Sequence, residues 1–389
     1  NTSLGYYTLS GINTGDYNTA VGYQAGINVT TGGNNAFVGK DTGFQMRSGS
    51  MNVAIGDSAL YTSRGSSNNV AIGPSAGQNI TTGGNNVLIG YKAGFAQKTQ
   101  NSVIAIGYEA MGGTAGTQEG YEIAIGYRSM FQATDGANGT AIGNSALENL
   151  VGQHSIAIGS EAGRNASGSY NTFVGGSAGK GGTTSAPYSS GQNNTAVGYQ
   201  AFDGFTTGNY NTALGYGALS STTTEDANVA IGHEAMLQGG GSQNIAIGDK
   251  AMYQGPTGGT NYAIGRYTMM DCNAGATALS SNSNIAIGHA ALGGTWADAA
   301  SNYNIAIGHL AMDAGVNGAL YNMAMGYNAL GALTSGDSNV AIGHGAGYSV
   351  TTGGNNILIG RATGDAYTAL EGTVLIGHFA GSAINNNNS

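Results

Sequence analysis

The sequence contains little of several residue types on which whole classes of protein depend. Of its 389 residues only Cys272 is a cysteine, which excludes a disulfide framework within the chain. Three prolines, and 71 glycines without a three-residue period, exclude a collagen-like helix. No stretch is long and apolar enough to cross a bilayer, so we expect no membrane insertion.

Charged residues are also scarce, and they are unevenly distributed. They make up 8% of the chain, whose formal net charge is −9. Residues 1–130 hold six basic and six acidic residues, whereas residues 131–389 hold five and fourteen. A nucleic-acid-binding protein needs basic surfaces to neutralise phosphates, so we expect no nucleic-acid partner. The same acidity argues against adhesion to anionic lipid.

What the sequence has instead is a short phrase, typified by NNVAIG at 68–73, that recurs along nearly the whole chain. Its closing glycine occurs twenty-two times, most often 17 residues after the previous one. Such self-similarity is typical of solenoids, whose units are stable only when stacked on their neighbours. We therefore expect residues 1–389 to form one repetitive domain. Because the chain begins inside a repeat, we expect it to be a fragment of a longer fibre.

One repeat, NNVLIGYKAGFAQKT at 85–99, predicts two short strands and two turns. The β-branched run before Gly90 predicts the first strand, and the alternation of Ala93, Phe95 and Gln97 predicts the second. A return turn spelled TTGGNN closes the repeat, with glycine and asparagine supplying positive φ angles. The predicted fold is an all-β parallel β-roll, or β-solenoid, of about 22 coils forming an elongated rod.

Two positions of the repeat predict how the coils stack. Seventeen of the twenty-two repeats carry asparagine four residues before the glycine, which predicts a ladder of hydrogen-bonded amides. The centre of the first strand is alanine in sixteen repeats, and Val, Ile or Thr flank it. Both faces of the strand are therefore apolar, so we expect one to fill the coil and the other to meet a partner subunit in a homotrimer.

The phrases NVAIGDSA, NIAIGHAA and NTAVGYQA resemble the head repeat of YadA-like trimeric autotransporter adhesins. The longer unit YNTAVGYQAGINVTTGGNNAFVG at 17–39 is similar to the 17-residue arrays of phage-type tail-fibre proteins. The resemblance covers nearly the whole chain and implies a left-handed parallel β-roll. It also implies an extracellular location, on a bacterial surface or a virion, and attachment to another cell.

The position after the repeat glycine carries tyrosine in earlier repeats and histidine in later ones. Tyr91, Tyr108, His289 and His309 are candidates for a surface ladder of stacked rings. The alternative is a stripe that binds carbohydrate or metal. Histidines separated by whole coils lack the close spacing of metal-ligand motifs, so we predict neither a metal nor a cofactor.

Insertions lengthen four coils, near 112–121, 179–192, 271–283 and 293–300, and loops on a rigid scaffold are common recognition sites. The last insertion holds the only tryptophan. Trp296 beside Asp298 suggests an aromatic platform with a polar partner for a glycan or protein receptor, on a loop that projects sideways. The alternative is that Trp296 covers an apolar seam. Tyr188, in the 179–192 insertion, is the next candidate.

Catalytic patterns are sparse in the sequence. Acidic residues are scattered, with Glu225 and Asp226 the only adjacent pair, and no nucleophile elbow or phosphate-binding loop occurs. We therefore expect a structural and adhesive fibre segment, and not an enzyme. The alternative is a polysaccharide-degrading protein similar to a phage tailspike, which would need paired carboxylates.

Overall fold

A computed structural model describes residues 1–113, 120–134, 138–272, 280–297 and 299–382. In these residues the protein is an all-β parallel solenoid, with one strand of three residues in each repeat and no α-helix. This confirms the predicted fold class. The strands divide between two compact units, Asn1–Asn194 and Thr195–Ser389.

The first unit contains the strands β1 Thr2–Leu4, β2 Thr19–Val21, β3 Ala36–Val38, β4 Val53–Ile55, β5 Val70–Ile72, β6 Val87–Ile89, β7 Ile104–Ile106, β8 Ile123–Ile125, β9 Thr140–Ile142, β10 Ile156–Ile158 and β11 Thr172–Val174. The second unit contains β12 Thr195–Val197, β13 Thr212–Leu214, β14 Val229–Ile231, β15 Ile245–Ile247, β16 Tyr262–Ile264, β17 Ile285–Ile287, β18 Ile305–Ile307, β19 Met323–Met325, β20 Val340–Ile342, β21 Ile357–Ile359 and β22 Val374–Ile376.

Within each unit every strand pairs in parallel with the strand one repeat away, in identical register. Ala54 of β4 lies opposite Ala71 of β5, for example. In β4 and β5 the central residue points inward and is fully buried, whereas its two neighbours point outward and are partly exposed. The outward residue Ile55 is 39% exposed. Alternation along a strand of three residues thus separates an alanine column inside from an apolar face outside.

The glycine after each strand is required by close contact between coils. Gly90 has a φ of +132°, a conformation that other residues rarely adopt. A Cβ atom added to Gly90 would lie only 2.4 Å from the carbonyl oxygen of Gly107 in the next coil. Glycine also permits close approach of the coils in the return turn, because a Cβ on Gly32 would lie 2.2 Å from the carbonyl oxygen of Gly49. The positive φ of that turn falls on Asn34.

The predicted second strand is wrong. The residues after Gly90 form a series of turns and not extended chain. Lys92 and Gly94 have φ angles of +52° and +60°, so residues of positive φ alternate with residues of negative φ and the backbone is not extended. Consecutive residues, such as Ala93 and Gly94, are therefore buried together, and the period-two pattern that suggested a strand does not hold.

Two positions fill the core, the strand centre and the fourth residue after the repeat glycine, and in several repeats they compensate for each other in size. The repeat with Ala54 at its strand centre has the buried Leu60 at the fourth position. The repeat with the larger Phe37 has Gly43 there, and a Cβ added to Gly43 would lie 2.5 Å from the Phe37 ring. This exchange keeps the interior densely packed along each unit. Further pairs of this kind are Leu88 with Gly94, Phe173 with Gly179 and Leu358 with Gly364.

The asparagine ladder is present and buried. The backbone N–H and the Nδ2 of Asn35 donate to Oδ1 of Asn18, at 3.0 and 2.9 Å. Nδ2 of Asn35 also donates to the carbonyl oxygen of Gly49 at 2.9 Å. Asn52 repeats the pattern on Asn35. Each amide thus joins a strand to a neighbouring coil, and the burial of these bonds raises the cost of breaking them.

Glu122 replaces asparagine in this ladder. Its side chain is fully buried, and neither carboxylate oxygen makes a hydrogen bond of good geometry to a described residue. Burial raises the pKa of Glu122, because removal from water disfavours the charged form, and the backbone N–H groups of Glu122 and Gly120 offset only part of this rise. The corresponding residue of the next repeat, Gly139, has no side chain that could complete the ladder. This repeat is therefore a weak point in the first unit at neutral pH.

We expect Glu122→Asn to raise the melting temperature at pH 7, because it removes a buried charge and supplies an amide oxygen to the ladder. A raised folded pKa means that the stability contributed by Glu122 is greatest in acid and is lost as pH rises through that pKa. The gain should therefore shrink at pH 4. Glu122→Gln, which removes only the charge, should give part of the gain. Identical melting curves at pH 7 for all three proteins would contradict this account.

Candidate functional site

Trp296 lies inside the structure and not on an exposed loop. Its side chain is 0% exposed, and its Nε1 donates to the carbonyl oxygen of Leu292 at 3.2 Å. Its backbone N–H donates to the carbonyl oxygen of Asp271 at 3.0 Å, which ties this segment to the preceding coil. The interpretation of Trp296 as an exposed platform is therefore wrong. The indole instead buries its apolar surface while its one donor is satisfied.

The other predicted residues of these insertions give little support for a site there. Asp298 lies outside the described residues, as do residues 114–119 of the first insertion and 273–279 of the third. Cys272 is fully buried, and burial raises the pKa of its thiol well above the ordinary value. The thiol is therefore protonated at neutral pH and poorly reactive.

The ring residues after the repeat glycine form stacks along the surface. Tyr91, Tyr108 and Tyr127 follow one another with ring centroids 5.1 and 5.3 Å apart, nearly parallel. His289 and His309 stack in the same way at 4.9 Å. Rings inside such a stack have both faces covered, so they offer only their edges to solvent. A sugar needs an open face, and these rings therefore favour the ladder interpretation.

Tyr188, in contrast, lines a groove of about 380 Å³ in the first unit. The 179–192 loop returns to the stack beside it: Ser189 forms a parallel bridge with Ala166. The carbonyl oxygen of Gly191 then accepts a 2.9 Å hydrogen bond from Nδ2 of Asn171, a member of the asparagine ladder. These anchors hold Tyr188 half-buried at the rim of the groove.

A chain of ion pairs runs along this groove: Arg128, Glu148, Arg164 and Lys180 line it, and Glu161 links the last two. Lys180 Nζ lies 2.7 Å from Glu161 Oε2, and Glu161 Oε1 lies 2.9 Å from Arg164 Nη1. Arg164 Nε lies 2.8 Å from Glu148 Oε2, and Glu148 Oε1 lies 3.0 Å from Arg128 Nη2. Five charged side chains from successive coils are thus held in fixed positions. Donors and acceptors that are already ordered lose less conformational entropy when a ligand binds.

Glu161 is paired with two residues that line the groove, and its charge is unsuited to proton donation. The hydrogen bond from Lys180 is the main cause that lowers the pKa of Glu161, and Arg164 adds to it. A carboxylate held ionised in this way is a poor general acid, since hydrolysis of a glycosidic bond needs a raised pKa. The Arg128 guanidinium also lies 4.1 Å from the centre of the Phe131 ring, which fixes it further.

The sequence interpretation found Tyr188 but missed its charged neighbours. Arg128 is the second residue after its repeat glycine, and Glu148, Arg164 and Lys180 are each the fifth after theirs. Alignment of the repeats by column places these positions on one side of successive coils. The opposite charges of Glu148 and Arg164 at the same position of successive repeats were the available signal for the ion-pair chain.

Comparison with known proteins gives no relative for this chain: no protein-family model and no curated protein sequence matches it. Within the described ranges, no helix is long and apolar enough to span a membrane. The same ranges contain no group of three or more His, Cys, Asp or Glu side chains placed to hold a metal ion. A proposal of function therefore depends on the strand faces and the grooves.

The burial of the only tryptophan can be measured directly. We expect Trp296 to emit at short wavelength and to be quenched only weakly by iodide, because its ring is shielded from water. Trp296→Ala should lower the melting temperature, since truncating a buried tryptophan costs about 3–5 kcal/mol. Trp296→Phe should lower it less. Quenching as strong as that of free N-acetyltryptophanamide would show that the ring is exposed.

Proposed function

We propose that this chain is a structural and adhesive segment of an extracellular fibre, on a virion or a bacterial surface. In this proposal three copies associate through their strand faces and present the Tyr188 groove to a receptor on another cell. In this role the chain acts by binding and not by catalysis. The resemblance to YadA-like adhesin heads and phage-type tail fibres agrees with this role.

The observation that carries the proposal is the apolar outer face of the strands. Residues such as Ile55 and Ile158 in the first unit, and Leu214 and Ile264 in the second, are 39–46% exposed. Each lies immediately before its repeat glycine, where every repeat has Val, Ile, Leu or Met, so each unit presents a continuous apolar strip. Exposed apolar surface of this extent marks an interface. A second and third copy of the same chain offer a matching strip at the same spacing.

The groove beside Tyr188 supports the receptor-binding part of the proposal. It combines a half-buried aromatic side chain with ion pairs, such as that between Arg164 and Glu148, and with amide groups such as that of Asn165. Such a surface can hydrogen-bond the hydroxyl groups of a glycan or the backbone of a protein loop. Three copies in a trimer would convert a weak single contact into useful avidity.

The test has two stages that use the purified full chain. Light scattering should first give three times the chain mass of 38.7 kDa. Labelled trimer should then be retained on at least one member of a panel of bacterial and eukaryotic cells. Tyr188→Ala should reduce that retention strongly, because the groove loses its only aromatic wall among the described residues that line it.

Tyr17→Ala is the matched control. Tyr17 is 79% exposed and does not line the Tyr188 groove, so its removal should change neither mass nor retention. A stable monomer would overturn the assembly. Equal retention of the two variants would overturn the role of Tyr188 in attachment.

A further inference from the structure

Three basic side chains have no ion-pair or aromatic-ring partner among the residues that the structure describes. Six of the eleven basic residues form ion pairs: Lys40, Arg128, Arg164, Lys180, Lys250 and Arg266. Lys92 and Arg361 instead lie over aromatic rings. Arg47, Arg64 and Lys98 are exposed, and within the described part of the chain they form no ion pair and lie over no aromatic ring. All three lie in the first unit.

These three residues occupy one column of the solenoid. Each is the eighth residue after its repeat glycine, and Thr81 takes this position in the repeat between Arg64 and Lys98. Coils rise by about 4.8 Å each, so Arg47 and Arg64 are held close together although they repel each other. An anion bound between them would relieve that repulsion.

A second column of amides and hydroxyls runs beside the basic one and completes a groove. Asn28, Gln45, Thr62 and Asn79 are each the sixth residue after the repeat glycine. One cavity of about 290 Å³ is lined by Arg47 and Arg64 with Asn28 and Gln45. An adjoining cavity of about 330 Å³ shares Gln45 and Arg64 and extends to Lys98. Among the described residues, no acidic side chain lines either cavity.

The backbone under the basic column is fixed before any ligand arrives. Thr30 Oγ1 donates to the carbonyl oxygen of Arg47, and Thr81 Oγ1 donates to that of Lys98, both at 3.0 Å. Nδ2 of Asn28 donates to the carbonyl oxygen of Phe44 at 2.7 Å. The groove is thus built on a rigid frame, and only the ends of the side chains must order on binding.

We propose that this groove binds an acidic polysaccharide. Carboxylate or sulfate groups along the polymer would pair with Arg47, Arg64 and Lys98, while sugar hydroxyls would hydrogen-bond to the neighbouring column of amides and hydroxyls. A polymer fits better than a single ion, since the groove extends from Asn28 to Lys98 over about five coils. A duplex nucleic acid is a poorer ligand, because its phosphates would extend beyond the basic column onto a protein whose net charge is −9.

The inference names a ligand class for a second groove and rests on the proposed function only for its biological setting. The two grooves share no lining residue. Tyr188→Ala should therefore leave polyanion binding unchanged. A loss of cell attachment and a loss of polyanion binding can therefore be assigned to different grooves.

The experiment measures binding of the full chain to polygalacturonate, dextran sulfate, neutral dextran and single-stranded DNA. We expect binding to at least one acidic polysaccharide, none to dextran, and loss of binding as salt rises. Comparison of the two acidic polymers identifies carboxylate or sulfate as the preferred group. The Arg47→Gln/Arg64→Gln variant should bind about tenfold more weakly, since it loses two charge-assisted contacts.

The matched control is Lys40→Gln/Arg266→Gln, which removes two positive charges that are already paired with Asp41 and Asp249. It should bind as the parent does, and all proteins should melt at the same temperature. Absence of binding to both acidic polymers would overturn the proposal. So would equal weakening in the control, or binding of single-stranded DNA as tight as that of the polysaccharides.

Discussion

The contact between repeat glycines in neighbouring coils is the constraint on which the rest of the structure depends. At Gly90 the added Cβ of any other residue would lie 2.4 Å from the next carbonyl oxygen, so the coils can approach only where no side chain exists. That approach sets the spacing at which Asn35 reaches Asn18 and at which Tyr91 stacks on Tyr108. The same spacing aligns residues of equal position into columns, and both grooves are built from such columns.

Much of the fold could be predicted because the same residue types recur at the same positions of successive repeats. The asparagine ladder, the buried alanine column and the outward apolar residues all follow from residue type at fixed positions. The second strand could not be predicted, since alternating left-handed residues such as Lys92 give an apolar pattern that resembles a strand over a few residues. The size exchange between Phe37 and Gly43 becomes visible only when two positions are compared across repeats.

The candidate sites were less predictable for a different reason. Trp296 was judged by its residue type and its insertion, yet an apolar ring gains more from filling a seam than from facing water. Arg128 and Glu148 are separated by a whole repeat in sequence, so their pairing depends on register and not on local pattern. The unpaired column that contains Arg47 and Arg64 was hidden by the acidity of the chain as a whole. Local charge, and not net charge, decides what each groove can bind.

Comparison of two glycine substitutions tests the central constraint most directly. Gly90 and Gly65 both lie in the first unit, but a Cβ on Gly65 would meet only Ser48 Oγ, at 3.4 Å, and its φ is not in the left-handed region. Calorimetric melting of Gly90→Ala and Gly65→Ala measures the difference. The account predicts a large fall in melting temperature for Gly90→Ala and little change for Gly65→Ala. Equal melting temperatures would show that close approach at the repeat glycine does not hold the coils together.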